Sequence, residues 1–277
     1  MSDPTISTAE LHAALALPDL RVVDASWFLD GRDAHAGWLQ AHIPGAVFFD
    51  IDANSDHASP LPHMLPRPEA FGRAAGALGI AAEDRIVVYD QQGLFSAARV
   101  WWTFRVMGAE RVQVLDGGLP KWRGEGRPLE RGAVRPTPAT FEARLRPELV
   151  RRFEAVRDEL AAGGQVVDAR PAARFRGEAA EPRQGLRSGH MPGSRNVPFA
   201  SVLTPDATLK SRLELEQVFA AAGVSPDRPV TASCGSGVTA AIVLLALARL
   251  GNERAAIYDG AWTEWGARPD AEVATGP

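Results

Sequence analysis

Cysteine is nearly missing from this sequence, which has one in 277 residues. A single cysteine excludes an internal disulfide and a zinc site built from several thiolates. No stretch approaches eighteen uninterrupted apolar residues, so we expect no membrane span. The N-terminal stretch lacks a basic region, and Pro18 and Asp19 interrupt its apolar residues, which argues against a signal peptide. These absences predict a cytoplasmic location, since a free thiol suits a reducing compartment.

Runs of basic residues are missing too. The net charge is -4 and the pI is about 5.9, which argues against a nucleic-acid partner. Hydrophobic residues make up 45% and charged residues 23% of the chain, a balance typical of a folded globular protein. An anionic substrate would therefore have to be attracted by a local cluster of basic side chains.

The chain repeats itself once. Four segments recur in the same order at a spacing of about 144 residues. Three clear pairs are Val22–Ala25 with Val166–Ala169, His42–Gly45 with His190–Gly193, and Val114–Gly118 with Ile257–Ala261. A period this long indicates two homologous domains and not a solenoid. We predict an N-terminal domain at 1–123, a Pro-, Gly- and Arg-rich linker at 124–146, and a C-terminal domain at 147–277.

Each half alternates short apolar runs with helical patterns. In the second half, a strand at 228–233 precedes a helix at 239–250 that Gly251 ends. Alternation of this kind is typical of an α/β fold with a mostly parallel, twisted sheet flanked by helices on both faces. We expect this fold twice in tandem.

The only cysteine lies in the loop Cys234-Gly235-Ser236-Gly237-Val238-Thr239, between that strand and that helix. Ligands of parallel sheets bind outside the carboxyl ends of the strands. Two glycines allow the backbone to curl so that its N–H groups form an anion-binding nest at the helix N-terminus. Such surroundings favour the ionised thiol, which is the nucleophile.

A lone cysteine in an apolar setting is more often an inert buried side chain. The loop context and the repeat favour the reactive interpretation. The matching position in the first half is Asp90, in Asp90-Gln91-Gln92-Gly93. The scaffold is therefore present twice and the thiol once, as expected for one working domain and one supporting domain.

These motifs resemble the rhodanese/sulfurtransferase family over almost the whole chain, and in particular the members that use 3-mercaptopyruvate. In the family, a six-residue loop opens with the catalytic cysteine. Thiosulfate-using members carry basic residues at its second and third positions. Here those positions are Gly235 and Ser236, the form associated with 3-mercaptopyruvate. The resemblance implies two rhodanese-like domains, with Gly235, Gly237, Val238 and Thr239 holding the transferred sulfur.

Two arginines are implied as substrate ligands. The family binds the carboxylate and carbonyl oxygens of its substrate with arginines of an RF-x-G and an EPR segment. In this sequence they are Arg174 and Arg183. Guanidinium matches a carboxylate with two parallel hydrogen bonds. From the sequence alone, Arg170 and Arg176 are equal candidates, and the cluster could also be a solvated surface.

A proton-handling triad is implied by the same resemblance. Its members are Asp52, His63 and Ser236, with the histidine oriented by the carboxylate and bonded to the hydroxyl. If the resemblance is left aside, a histidine in a loop of this kind is more often a surface residue than a catalytic one. Leu61-Pro62 departs from the aromatic and acidic residues that relatives often carry before this histidine.

Other conspicuous residues are interpreted as structural. His42 and His190 precede Pro-Gly in both halves, although only one half has the cysteine. We interpret four aspartates that follow strands as turn residues that bond local backbone: Asp24, Asp116, Asp168 and Asp259. Five tryptophans are expected to pack between layers or domains: Trp101, Trp102, Trp122, Trp262 and Trp265.

The sequence therefore predicts a sulfurtransferase that carries sulfur from 3-mercaptopyruvate as a Cys234 persulfide to a thiol such as thioredoxin, to a small thiol, or to cyanide. No metal or organic cofactor is expected. A thiosulfate sulfurtransferase is the nearest alternative. A cysteine phosphatase would need an arginine six residues beyond the cysteine, where Ala240 stands. A catalytically silent binding module is disfavoured by the intact cysteine loop.

Overall fold

The computed structural model describes residues 3–277; Met1 and Ser2, with which the predicted N-terminal domain begins, lie outside them. Two five-stranded sheets make up its framework. The strands of the first sheet are β1 (Thr5–Ile6), β2 (Leu20–Asp24), β3 (Val47–Phe48), β4 (Arg85–Tyr89) and β5 (Val112–Leu115). The strands of the second sheet are β6 (Val150–Arg151), β7 (Val166–Asp168), β8 (Arg195–Asn196), β9 (Thr231–Ser233) and β10 (Ala256–Tyr258).

Helices connect the strands of both sheets. In the first half they are α1 (Thr8–Ala14), α2 (Ala34–Gln40), α3 (Pro68–Ala77), α4 (Ala97–Val106) and α5 (Gly118–Gly124). In the second half they are α6 (Phe153–Ala161), α7 (Ala172–Phe175), α8 (Arg212–Ala221), α9 (Ala240–Arg249) and α10 (Ala261–Trp265), with 3-10 helices at Pro147–Leu149 and Phe199–Val202.

The two sheets have the same strand order. It is β1-β5-β4-β2-β3 in the first and β6-β10-β9-β7-β8 in the second, so each strand has a counterpart at the same place in the other sheet. All the strand pairings within both sheets are parallel. The predicted pair of α/β domains is confirmed, and the repeat in the sequence corresponds to a repeat in the fold.

Alternation along the central strands separates the two faces of each sheet. Val87 and Tyr89 of β4 pack with α1 and α5, whereas Ile86 and Val88 point to the opposite face. That opposite face joins the inner face of the second sheet in one continuous core. The outer face of the second sheet has its own cluster around Trp262. The two domains therefore share a hydrophobic interior.

The centre of this shared core is the contact between α4 and α9. Every residue of α9 from Ala240 to Leu247 is buried. A helix that is apolar all round must be covered on all sides, and α9 is covered by its own sheet and by α4 of the other domain. Trp101 and Trp102 of α4 are 1% exposed, in agreement with the predicted packing role of the tryptophans.

The segment predicted as a linker lies along α3. The Ala139 amide donates to the Gly76 carbonyl at 2.9 Å, and Phe141 is buried in the shared core. A Cβ atom at Gly72 would lie 2.6 Å from the carbonyl oxygen of Phe141. The absence of that atom is what allows the segment to approach the helix so closely.

Two of the four strand-end aspartates do not have the predicted local role. The Asp116 carboxylate accepts from the amide of Leu209 at 2.8 Å, in the other domain. The Asp259 carboxylate accepts from the amide of Leu65 at 2.8 Å, also across the interface. The interpretation as turn residues was wrong for this pair, because each carboxylate bonds a loop that arrives from the opposite domain. Asp24 and Asp168 do accept from nearby backbone amides.

Asp24 and its counterpart differ in charge balance. Asp168 pairs with the guanidinium of Arg170, whereas Asp24 has Ser26 at the matching position and accepts from its amide at 3.0 Å. Burial raises the pKa of Asp24 to about 6. The folded state therefore binds this proton more tightly than the unfolded state, and stability is lost as the pH rises from about 4 through about 6.

Asp24→Asn is expected to remove this loss. The free energy of unfolding of the variant minus that of the parent should be larger by about 2–3 kcal/mol at pH 7.5 than at pH 4. Denaturant unfolding of both proteins at the two pH values measures the difference. An unchanged difference between the two pH values would mean that the Asp24 carboxylate titrates normally.

Among residues 3–277, no helix is both long and apolar enough to cross a bilayer.

Candidate active site

Cys234 follows the last residue of β9 and opens the loop to α9. Its carbonyl accepts from the Trp262 amide at 2.9 Å, which fixes the start of the loop against α10. The side chain is 2% exposed. Gly237 has φ of +79°, a conformation that favours glycine. The predicted position of the thiol at the carboxyl end of a central strand is what the structure shows.

The matching loop of the first domain reveals what such a loop binds. The Asp90 carboxylate lies inside it and accepts from the amides of Gln92 at 2.8 Å, Phe95 at 2.7 Å and Ala97 at 2.9 Å. Gly93, like Gly237, has positive φ. Converging amides of this kind form an anion nest. Cys234 occupies the place of Asp90, so the loop that it opens is the counterpart of this nest.

His63 comes from the first domain. Its Nδ1 lies 2.8 Å from Oδ1 of Asp52, and Trp27 donates from Nε1 to Oδ2 of the same carboxylate at 2.9 Å. The Trp27 ring also meets the His63 ring edge-on at 4.9 Å. Hydrogen bonds from His63 and Trp27 hold the pKa of Asp52 below its usual range. The carboxylate is thus ionised at neutral pH and orients the imidazole.

The loop that carries His63 has a counterpart in the second domain, with an alanine in place of the histidine. His63 has φ of +58°, and Ala207, about 144 residues later, has φ of +54°. A Cβ atom at Gly93 would lie 2.6 Å from the Cβ of Ala207, so this second loop covers the Asp90 loop. Each domain therefore extends one loop toward the strand-end loop of the other, and only one of the two crossings pairs a loop with a histidine and a loop with a cysteine.

Ser236, the third predicted triad member, is 7% exposed. The described part of the chain contains no hydrogen bond between it and His63. The two segments are nevertheless neighbours, because the Arg99 guanidinium donates both to the His63 carbonyl and to the Gly237 carbonyl. The structure thus brings the Asp52 and His63 side chains together, and Ser236 precedes the glycine that Arg99 joins to the His63 loop.

Arg174 lies directly over the cysteine loop. Its Nη2 would be 3.2 Å from a Cβ atom at Gly235. The same guanidinium pairs with Glu181, from Nε to Oε1 at 3.1 Å and from Nη2 to Oε2. Part of the Arg174 fork is therefore committed to Glu181, and the side chain, 20% exposed, is held in place beside the loop.

The other arginines of this region separate into distinct roles. Arg183 is partly exposed, and its Nη2 lies 3.5 Å from Nε2 of His63. Arg170 is 1% exposed and pairs with Asp168 and Glu181, so it is no longer an equal candidate for a substrate. Arg176 pairs with the exposed Glu178. Arg174 and Arg183 are the two that face the cysteine loop and the histidine.

The remaining predicted loop residues are Gly235, Val238 and Thr239. Val238 is 3% exposed. Thr239 is the N-cap residue of α9 by position, but its side chain makes no capping hydrogen bond. Donation of the Thr239 hydroxyl toward the sulfur of Cys234 stays a prediction. Gly235 has the function of leaving room for Arg174.

His42 and His190 have matching structural surroundings. Each donates from Nδ1 to a backbone carbonyl, His42 to Trp38 at 2.8 Å and His190 to Phe175 at 2.9 Å. Each ring also stacks on the aromatic ring of that same residue. The equal arrangement in both halves agrees with the interpretation as structural histidines.

Three residues of the site were not predicted from the sequence. They are Trp27, which bonds Asp52; Glu181, which holds Arg174; and Arg99, which joins the His63 and Gly237 carbonyls. For Arg99 a signal exists, because an arginine within the otherwise apolar start of α4 must find a partner when buried. Within residues 3–277, no group of three His, Cys, Asp or Glu side chains could hold a metal ion.

Comparison with known proteins agrees with this geometry. Residues 7–125 and 153–268 match the family described as Rhodanese-like domain. The 3-mercaptopyruvate sulfurtransferase of Escherichia coli (strain K12) is 49% identical over 263 residues, 92% of each chain. The mitochondrial thiosulfate/3-mercaptopyruvate sulfurtransferase 1 of Arabidopsis thaliana is 44% identical over 98% of this chain and 78% of its own length. The crystal structure of SseA from Escherichia coli, a 3-mercaptopyruvate sulfotransferase, superposes with a TM-score of 0.87 at 44% identity, covering 94% of this chain and 99% of that one.

Proposed function

This chain belongs to the rhodanese family, and on that premise we propose that it transfers sulfur from 3-mercaptopyruvate through a persulfide on Cys234. Pyruvate is the second product. The acceptor is a thiol, either a small thiol or a protein such as thioredoxin, or cyanide. The reaction is ping-pong and uses no metal or organic cofactor.

The duplicated nest is the observation that carries this proposal. In the first domain the loop already holds a negative charge, the carboxylate of Asp90, with three backbone amides. In the second domain the matching loop begins with Cys234. Amides that converge on an anion stabilise the Cys234 thiolate before the reaction and the charge of the persulfide after it.

Donor binding in this proposal uses Arg183 and the free part of the Arg174 fork. They bind the carboxylate and carbonyl oxygens of 3-mercaptopyruvate, so that its sulfur faces Cys234. The thiolate attacks that sulfur, the new S–S bond forms, and the carbon–sulfur bond of the donor breaks. The electron pair stays on the carbon as the enolate of pyruvate, which is then protonated. An acceptor thiolate or cyanide finally attacks the outer sulfur and releases the Cys234 thiolate.

Proton transfer is assigned to His63 with Asp52 and Ser236. The Asp52 carboxylate at 2.8 Å from Nδ1 favours the tautomer that leaves Nε2 free to exchange a proton. Nε2 points toward Arg183, the residue assigned to the donor. A histidine in this place can hand a proton to the enolate and take one from an incoming thiol.

The cysteine loop supports 3-mercaptopyruvate as the main donor. Thiosulfate is a compact dianion that benefits from basic residues at the second and third loop positions, where this chain has Gly235 and Ser236. A longer side chain at 235 would also meet Arg174. Thiosulfate is the second candidate, because the name of the Arabidopsis relative includes both donors.

We propose a cytoplasmic location. A single free cysteine that must stay reduced to react suits the cytoplasm. Cell fractionation followed by an assay for sulfur transfer tests this part separately from the chemistry.

A donor comparison with Arg183→Ala tests the function. We expect the parent protein to prefer 3-mercaptopyruvate to thiosulfate in kcat/KM. Losing one charge-assisted hydrogen-bonded pair costs about 1.5–3 kcal/mol, so the variant should lose roughly ten- to a hundredfold in kcat/KM for 3-mercaptopyruvate, mainly through KM. Steady-state rates with both donors measure the effect.

Arg176→Ala is the matched control for this experiment. Arg176 lies on the same segment but pairs with Glu178 at the surface, so its loss should leave both donors unaffected. An equal loss for thiosulfate and 3-mercaptopyruvate in Arg183→Ala would show that donor selectivity has another origin. A parent protein that uses thiosulfate better would favour the second candidate.

A further inference from the structure

Arg99 joins the two catalytic segments across the domain interface. It belongs to α4 of the first domain and is 2% exposed. Its Nη2 donates to the carbonyl of His63 and to Oδ1 of Asp259 at 2.7 Å, and its Nη1 donates to the carbonyl of Gly237 at 3.4 Å. One guanidinium therefore contacts the histidine loop, the cysteine loop and the carboxylate that follows β10.

The position of this guanidinium is tightly determined. A Cβ atom at Gly237 would lie 2.7 Å from Nη1 of Arg99, so the glycine is what allows the close approach. On the other side, the guanidinium lies over the ring of Trp102, 4.4 Å from its centre. Asp259, itself 5% exposed, provides the opposite charge that a buried cation requires. The Arg99 side chain has little freedom to move.

Arg249 of the second domain makes contacts similar to those of Arg99. Arg249 at the end of α9 pairs with Asp116 and donates to the carbonyls of Leu209 and Lys210, each at 3.2 Å. Those residues belong to the loop that carries Ala207. Both arginines therefore fasten a crossing loop to a strand-end aspartate of the opposite domain. Only Arg99 fastens the loop that carries His63.

We propose that Arg99 is a positioning residue that sets the distance between the His63 imidazole and the Cys234 loop. The proposal rests on the proposed sulfur transfer. Arg99 acts through the two carbonyls and does not touch the substrate. Because the segments belong to different domains, a small shift between the domains changes the distance over which His63 exchanges its proton. A displacement of about 1 Å can lower a rate roughly a hundredfold.

The three contacts of Arg99 require a guanidinium group at this position. Three acceptors in different directions need the planar fork of guanidinium, whereas an ammonium group is a compact charge on a flexible stem. Lysine could keep the charge pairing with Asp259 but not all three contacts. Arg99→Lys should therefore restore part of what Arg99→Met loses.

The test compares Arg99→Met and Arg99→Lys with Arg249→Met. Each protein is assayed for kcat and KM with 3-mercaptopyruvate and for thermal stability. We expect Arg99→Met to lower kcat about a hundredfold with little change in KM, and Arg99→Lys to lie between this variant and the parent. Arg249→Met should lose stability at the same interface with kcat unchanged, because its loop carries no catalytic residue.

Three results would overturn the proposal. The first is a folded Arg99→Met protein with the kcat of the parent. If the methionine variant does not fold, a folded Arg99→Lys protein with the kcat of the parent has the same meaning. The third is a fall of kcat in Arg249→Met equal to that in Arg99→Met. The parent treated with donor alone serves as the reference for the function itself. If it gains no sulfur by mass spectrometry, the proposed sulfur transfer fails; if it does, only the role of Arg99 is in question.

Discussion

Cys234→Ser is expected to abolish sulfur transfer from every donor. A serine oxygen of nearly the same size would occupy the nest, but an alcohol is scarcely ionised at neutral pH and forms no S–S bond. Removal of a covalent nucleophile lowers turnover by roughly 10⁶-fold in a well-studied enzyme, so the remaining rate should equal the background. Donor added alone should increase the mass of the parent by roughly 32 Da, one sulfur atom, and leave the variant unchanged.

The repeat supplies a control for this experiment. Asp90 shows that the matching loop accommodates a carboxylate with three amide hydrogen bonds, so Cys234→Asp should fold with its nest occupied. It should be as inactive as the serine variant. Turnover in either variant at the rate of the parent, or a sulfur adduct on protein without Cys234, would place the sulfur on another group.

The fold could be predicted because its signals are local. Apolar runs, glycine stops and the spacing between recurring motifs determine strands and helices, and the helix predicted at 239–250 forms as Ala240–Arg249. The cysteine loop was found for the same reason, since its strand, glycines and helix are consecutive in the chain. The parts of the site that a single segment carries were therefore accessible from the sequence.

Contacts between the domains were not accessible in this way. Asp116 and Asp259 occupy ordinary turn positions, and only the packing of α4 against α9 brings Leu209 and Leu65 within reach of their carboxylates. Arg99 depends on the same packing. Hydrophobic periodicity tells which face of a helix is buried but not which charged groups of the other domain meet it.

The crossing loops explain why a duplicated fold has one active site. Each nest is covered by a loop from the other domain, so a complete site needs a cysteine in one domain and a histidine in the other. The pair Cys234 and His63 meets this condition, and the pair Asp90 and Ala207 does not. In the proposed function, the domain without the thiol therefore contributes to catalysis, because it provides Asp52, His63 and the Trp27 that bonds Asp52.

The substitution His63→Ala tests the contribution of the first domain to catalysis, and its expected effect on kcat is the second largest after that of Cys234→Ser. Loss of a general acid–base group lowers a rate by roughly 10²–10⁴-fold, and we expect kcat with 3-mercaptopyruvate to fall within this range. The left-handed backbone at this position should tolerate the change, because Ala207 has φ of +54° at the matching place in the same chain. Steady-state kinetics and thermal unfolding of the variant give both quantities.

His57→Ala is the matched control, since His57 is an exposed histidine of the same loop whose ring hydrogen-bonds to the Ala53 carbonyl at 3.2 Å. Its loss should leave kcat unchanged. Asp52→Asn should lower kcat less than His63→Ala does, because Trp27 still bonds the side chain while the imidazole loses its negative partner. If His63→Ala kept the kcat of the parent with a native thermal transition, the proton would have to come from solvent or from Ser236. The loop from the first domain would then serve only to cover the nest.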